Sequence, residues 1–511
     1  MSSRTQKALL GFLSDVGGMI ALTIITFLAA PIILELTSQT LYGFWITTIS
    51  ILGYLALTDL GLGMSLTRLV AALASKGDSK KINGVINTAF FTFCGIGLVF
   101  FLIGYSFLSY IPSWFKIPKE ESELVLSAYR VAIISGALAL PLSVFSAVVV
   151  GFQQMAVINI SKNIISIVGV GLSVFLLYSE IGLVALPLGT LFTVIASSIV
   201  SFIYAKKYSP ELKLSLLEFN KNDLKKLVSF GGYFQLNRMA NTVALSSDNI
   251  VITSIMGPAS VTPYAFTSKL PILFSVTLAS KLPNAIFPAM TEMFANNEIV
   301  KLRQTYNRLT FFAVRVALFG GALMFIANPK FVKLWVGVEN YGGDFLNFVF
   351  VLWVIFDTII RGTTAIVYAS GDLRNFKIAS SIEAVLNITI SLALIGPFGL
   401  AGVALGTLIS KLLTTGFYLP YWVCRKLDMS IKSLINKSII PPVIRSIPSI
   451  LITFILAQYL SLNNGWFWLI LISATLSITN FLMFEGLALT KLSKESWKFR
   501  LRKLILMQEE Y

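Results

Sequence analysis

The 511-residue sequence predicts an all-α polytopic membrane protein of about 14 transmembrane helices: two parallel six-helix repeats followed by a C-terminal helix pair. Three observations predict it. The chain is 56% hydrophobic and only 13% charged, with a mean hydropathy of +0.81, well outside the range of soluble domains. Apolar stretches recur from Leu9 to about Thr490, each near the roughly 20 helical residues that a hydrocarbon core about 30 Å thick demands. Lys and Arg crowd into alternate connections between those stretches.

The first span, 9–34, follows Arg4 and Lys7 as a secretory leader would, but it is too long and lacks a small-residue cleavage site, so it reads as a retained helix. Spans at 40–60, 84–108, 122–145, 157–178 and 181–204 complete a first block. Spans at 226–255, 261–288, 309–327, 345–368, 376–395 and 398–422 form a second, and 439–460 with 464–490 form an extra hairpin. The organisation expected is a first lobe over 1–208, an interlobe linker over 209–225 and a second lobe over 226–426. An interfacial segment with the hairpin follows over 427–490, then a basic tail over 491–511.

Three connections carry apolar stripes. Leu62, Leu66, Leu69, Val70 and Leu73 recur at helical spacing beside Arg68 and Lys76, the pattern of a helix lying in the membrane interface. The 210–228 stretch sets Leu212, Leu216, Leu217, Leu224 and Leu227 among lysines. Leu427, Ile431, Leu434, Ile435 and Ile439 precede Pro441 and Pro442. Ordinary surface loops are the alternative for each.

With the N-terminus inside, the inner side collects 27 Lys and Arg residues and the outer connections only Lys116, Lys119, Lys330 and Lys333. That bias puts both termini on the cytoplasmic side of a cytoplasmic membrane. It also accounts for the net charge of +16 without nucleic acid, for which no soluble domain is present. Two cysteines and no histidine exclude a disulfide scaffold and every His-based triad, metal set or proton relay. No phosphate-loop, dinucleotide, metal or nucleophile motif is found, so neither a cofactor nor ATP hydrolysis within the chain is expected.

The two blocks echo one another. Gly182-Leu183-Val184-Ala185-Leu186-Pro187-Leu188-Gly189-Thr190-Leu191 matches Gly399 to Leu408 at a spacing of 217, and Tyr42-Gly43-Phe44 matches Tyr264-Ala265-Phe266 at 222. An even number of spans per block makes the repeats parallel. A shared Gly- and Leu-rich composition is the alternative explanation.

Charges inside spans are the functional signal, because a charge in lipid is costly and usually faces a bundle interior or a wet cavity. Arg238, Lys269 and Lys281 in the seventh and eighth spans are candidates for binding an anionic substrate between the blocks, Arg by a bidentate pair and Lys as a point charge. Asp15, Asp248 and Glu383 are candidates for counter-charge or for coupling to H⁺ or Na⁺. Internal salt bridging, such as Arg238 with Asp248, is the alternative. Asp357 and Arg361 have the spacing of an intrahelical ion pair, while Lys162, Arg315, Lys411, Arg445 and Glu485 lie near span ends and are expected to snorkel. Gly17-Gly18, Pro31, Pro141, Pro187 and the proline-rich eighth span, with Pro263, Pro271, Pro283 and Pro288, are candidate helix breaks.

Tyr42-Gly43-Phe44-Trp45, the run Asp59-Leu60-Gly61-Leu62-Gly63 with Arg68, and Lys333-Leu334-Trp335-Val336-Gly337 resemble the polysaccharide transporter (Wzx-type flippase) branch of the multidrug, oligosaccharidyl-lipid and polysaccharide exporter superfamily. The resemblance covers almost the whole chain. It implies twelve core helices in two lobes with an added pair, no enzymatic activity, and translocation of undecaprenyl-pyrophosphate-linked sugars to the outer leaflet. A lipid-linked oligosaccharide is then the partner, along with glycan polymerase or assembly proteins. Asp59, Gly61 and Gly63 would shape a turn and gate. A cation-coupled multidrug exporter and a membrane glycan polymerase or ligase are the competing functions.

Overall fold

The computed structural model describes residues 3–58, 61–459 and 465–482; within its helices the side chains of 3–10, 12, 55–58, 230–245 and 375 lie outside the description. The first half runs α1 (Ser3–Leu36), α2 (Gln39–Thr58), α3 (Leu62–Ala74), α4 (Ser79–Ser106), α5 (Ile111–Trp114), α6 (Ser122–Gly151), α7 (Met155–Tyr178) and α8 (Ala185–Tyr208). Then follow α9 (Lys221–Met256), α10 (Val261–Ile272), α11 (Lys281–Ala295), α12 (Ile299–Val336), α13 (Asp344–Ala369), α14 (Arg374–Phe398), α15 (Leu400–Lys411) and α16 (Phe417–Lys426). The chain ends with α17 (Ile431–Leu434), α18 (Ile440–Tyr459) and α19 (Trp466–Phe481). No strand occurs among the described residues.

Eleven helical stretches among the described residues are long and apolar enough to cross a membrane. In lipid a backbone group finds no water, so a spanning segment must satisfy its own N–H and C=O groups as a helix. The spans expected at 40–60, 226–255 and 464–490 fall on α2, α9 and α19, each of which meets residues outside the description.

Proline marks one of the places where these helices deviate. Pro31 and Pro141 sit inside α1 and α6, which continue through them. Pro141 lacks the N–H that would reach the Ala137 carbonyl, and Gly97 of α4 lies against that oxygen, where a Cβ would come within 2.5 Å. At Pro271 the consequence is larger. The helix widens into a π segment over Leu273–Ala279, and the Thr267 carbonyl left without its helical donor accepts from Asn328 Nδ2 at 3.0 Å. A second π segment, Leu412–Gly416, joins α15 to α16.

Two compact packing units are present: residues 1–265 with 384–397, and residues 266–383 with 398–511. In the first, α7 packs between α1 and α8, and α6 between α4 and α8. The stripe on α3, expected to lie in the interface, packs within the protein, with Leu62, Leu66 and Val70 in one buried cluster with Ile86 and Phe93 of α4 and Val144 and Val148 of α6. The 209–220 connection is a strap with one 3-10 turn at Leu216–Glu218, and the rest of the 210–228 stretch forms the start of α9. Asn83 Oδ1 and Asn87 Oδ1 accept from the Lys213 and Ser215 N–H groups, Asn87 Nδ2 donates to the Lys213 carbonyl, and Thr88 Oγ1 accepts from Asn220 N. Those asparagines supply what a neighbouring strand would otherwise provide to the strap's backbone. In the second unit, α12 packs on α13, α18 and α19.

Equivalent local geometries occur in the two halves. Gly182 (φ 69) and Gly399 (φ 56), which open the 217-residue echo, both adopt positive φ. Phe44 meets Phe115 edge-on at 6.2 Å, and Phe266 meets Trp335 edge-on at 5.2 Å. After α6 and α13, Gln153 (φ 61) and Gly371 (φ 71) make the same turn, 218 residues apart. Each donates its N–H to the carbonyl three residues back, Val150 at 2.8 Å and Tyr368 at 3.1 Å.

Candidate functional site

Polar side chains in the first unit converge on Asp248 of α9. Its carboxylate is buried and accepts from Tyr264 Oη of α10 at 2.6 Å. Gly257 (φ 88) reverses the chain between the two helices, and Tyr264 is itself buried. One residue to either side, Ser247 Oγ donates to Asn387 Oδ1 of α14 at 3.1 Å, and Asn249 Nδ2 donates to Ser50 Oγ of α2 at 2.9 Å. Three successive residues of α9 are thus held from three helices. A turn further on, Thr253 Oγ1 and Thr47 Oγ1 of α2 are 2.5 Å apart.

The second unit holds a charged cluster. Asp357 of α13 is buried and accepts from Arg361 Nε at 2.8 Å, with Arg361 Nη2 2.6 Å from the same Oδ2 in an ion pair, the intrahelical pair its spacing predicts. Lys411 at the end of α15, expected to snorkel, instead turns inward and donates to Asp357 Oδ1. A buried carboxylate attracts the ammonium more strongly than a screened interface does. Ser275, within the first π segment, donates its hydroxyl to Asp357 Oδ2. Glu383 of α14 accepts from the hydroxyls of Thr414, at 3.1 Å, and Thr415, both in the second π segment. These two π segments present hydroxyls to an acid, whereas in a third, Ile435–Ile439, Ser438 Oγ donates to Asn307 Oδ1 at 3.0 Å; single-turn π deviations are frequent at functional sites. Lys411, whose partner lies 54 residues away in sequence, was missed by span-end reasoning. The available signal was a charge three residues before a Thr-Thr-Gly interruption.

The other expected site residues fall as follows. Lys269 on α10 and Lys281 at the start of α11 are partly buried on either side of the first π segment, and neither makes an ion pair with a described residue. Asp15 on α1 is exposed. Arg238 lies on α9 with its side chain outside the described residues, and Asp59 lies outside them altogether. Gly61 adopts φ 72 at the start of α3, and the Gly63 carbonyl accepts from Thr67 Oγ1 at 3.1 Å. Among the described residues no group of three or more His, Cys, Asp or Glu side chains is placed to hold a metal.

A multi-pass helical chain with ionisable networks at membrane depth defines a membrane transporter scaffold. Solved structures agree on the fold. "Lipid II flippase MurJ, inward closed conformation" superposes with a TM-score of 0.67 at 17% identity, over 92% of this chain and 100% of that one. An inward-facing multidrug resistance MATE family transporter of the MOP superfamily superposes with a TM-score of 0.60 at 17% identity, over 81% of this chain and 99% of its own. The "Putative O-antigen transporter" of Shigella flexneri is 22% identical over 375 residues, 73% of this chain and 87% of that protein. The chain belongs to the polysaccharide biosynthesis protein family, whose profile matches residues 8–294.

Proposed function

We propose that this protein is a flippase that moves undecaprenyl-pyrophosphate-linked oligosaccharide repeat units from the inner to the outer leaflet for surface polysaccharide assembly. The observation that carries the reading is family membership over residues 8–294. The names of the Shigella flexneri relative, an O-antigen transporter, and of the MurJ flippase point the same way. So does the chemistry of the spans, where Lys269 and Lys281 suit an anionic headgroup. The same reading counts about 14 spans in two lobes divided at 209–225, with both termini cytoplasmic in the inner or plasma membrane. It gives the chain no enzymatic step, and it leaves polymerase or assembly proteins to consume the product. Arg238, Lys269 and Lys281 contact the substrate; Asp15, Asp248 and Glu383 serve ion coupling or charge balance; Asp59, Gly61 and Gly63 shape the inner gate.

Purified protein in proteoliposomes, with lectin access to a lipid-linked sugar as the readout, tests it. Protein-dependent appearance of the sugar on the opposite leaflet is the expected result. Rates equal to empty vesicles across several glycans refute it. Drug efflux on expression, with surface glycan intact on deletion, would identify a multidrug exporter instead.

A further inference from the structure

Lys330 of α12 is a cation without an anion. In the topology proposed above it is one of four basic residues on the side that the charge bias leaves poor. Its Nζ is shielded, with no acceptor among the described residues, and lies 3.7 Å from the centroid of the Trp468 ring of α19. An indole face attracts the charge, but it accepts no ordinary hydrogen bond, and an ammonium withdrawn from water calls for an anion. Trp468 is 5% exposed, and its own Nε1 also lacks an acceptor among the described residues. Two neighbouring donors, one of them charged, thus wait for the same kind of partner.

Both side chains line a cavity of about 380 Å³ formed by α12, α18 and α19. Phe325 and Phe454, stacked with ring centroids 6.4 Å apart, and Ile326 give it apolar walls, and Gln458 adds an amide. Among the described residues no carboxylate lines it. Its depth follows from the helix ends: Lys330 precedes the end of α12 at Val336, Gln458 the end of α18 at Tyr459, and Trp468 follows the start of α19 at Trp466. Tyr459 and Trp466 are exposed at that same end, where aromatic side chains mark the level of lipid headgroups.

We propose that this cavity binds one anionic phospholipid of the surrounding bilayer, with the phosphodiester on Lys330 and Trp468 and an acyl chain against Phe325 and Phe454. The inference needs only that the chain spans a membrane; the bound lipid is not the transported substrate. A phosphodiester brings one negative charge to one ammonium, and its free oxygens accept from both donors. The flexible lysine stem lets the ammonium leave the ring to meet them. A headgroup with its own ammonium would set a second cation beside Lys330 with no carboxylate to receive it, so phosphatidylglycerol fits and phosphatidylethanolamine does not. Because three helices contribute, the lipid also ties the α18–α19 hairpin to α12.

Full-length protein purified in a non-ionic detergent, titrated with each of these two lipids, tests the site through binding and through the unfolding midpoint. Phosphatidylglycerol should bind the more tightly and raise the midpoint. Lys330→Gln should weaken its binding about tenfold, abolish the rise and leave phosphatidylethanolamine binding unchanged. Lys330→Arg should keep most of the affinity, and Lys333→Gln, which alters a lysine over the Tyr341 ring, all of it. Without lipid, Lys330→Gln should unfold no earlier than the wild type, since it removes an unmet charge. A purely structural contact with Trp468 predicts earlier unfolding with or without lipid and unchanged binding, and that result overturns the proposal. Equal weakening by Lys333→Gln overturns it in favour of diffuse surface attraction. Displacement of phosphatidylglycerol by undecaprenyl pyrophosphate would give the cavity to the transported lipid, and displacement by inorganic phosphate would give it to a free anion; either outcome also overturns it. Should Lys330→Gln not fold, Trp468→Phe, which removes the indole N–H and keeps a ring, replaces it with a several-fold loss of binding expected and unchanged binding as the refutation.

Discussion

Gly17 and Gly18 are neighbours in α1, and the structure assigns opposite consequences to giving each a methyl group. A Cβ on Gly17 meets nothing within 4 Å, whereas a Cβ on Gly18 would lie 1.5 Å from Asn163 Nδ2, 2.2 Å from its Cγ and 3.0 Å from its Cβ on α7. Both Gly→Ala changes gain about 1 kcal/mol of helix preference. Only Gly18→Ala must displace Asn163, whose amide donates to the Ser14 carbonyl at 3.4 Å. Losing that bond removes about 1 kcal/mol, and the forced shift of α7 against α1 costs about 1–3 kcal/mol. Gly17→Ala should therefore raise stability by about 1 kcal/mol, and Gly18→Ala should lower it by about 1–3 kcal/mol. Denaturation of the purified variants in one detergent, followed by tryptophan fluorescence, measures both. Equal shifts of the same sign would refute the α1–α7 contact at this level. Flipping by Gly17→Ala separates packing from bending: a variant that is more stable yet inactive would show that α1 has to flex at the pair.

Charge reversal at Lys269, Lys281 or Arg238 to Glu should lower glycan export more than Lys206→Glu, because attraction in a low-dielectric site outweighs a screened surface charge; full export by well-expressed variants removes those residues from the site. Asn87→Ala removes the two 2.8 Å bonds to Lys213 O and Ser215 N. Limited proteolysis should then cut the 209–220 strap faster, and an unchanged rate would show that the strap is held by other contacts. Tyr264→Phe takes a donor from the buried Asp248 carboxylate and should destabilise the fold by about 1–3 kcal/mol, read by the same denaturation assay; an unchanged midpoint contradicts the contact. An imposed inside-negative potential should speed outward flipping, since it favours anion exit by about 2.3 kcal/mol per charge per 100 mV. Initial rates insensitive to potential, ΔpH and ΔNa⁺ alike would leave passive facilitation.

The sequence by itself determined the class of fold and the residues worth watching. Hydrocarbon thickness and the need for internal backbone bonding act on each segment separately, so about fourteen stretches read as spans without knowledge of their neighbours, and eleven helical stretches among the described residues are long and apolar enough to cross a membrane. Spacing alone also paired Asp357 with Arg361, four residues apart on one helix. What no single segment encodes is the depth and rotation at which two helices meet. Lys411 looked like a snorkelling residue because its distance from the span end is local, while its attraction to a carboxylate 54 residues earlier is not. The same limit hid Thr414 and Thr415 on Glu383, the asparagine ladder that holds the strap and the difference between Gly17 and Gly18. Only tertiary structure decided these, because a buried polar group takes its partner from whichever helix packs beside it.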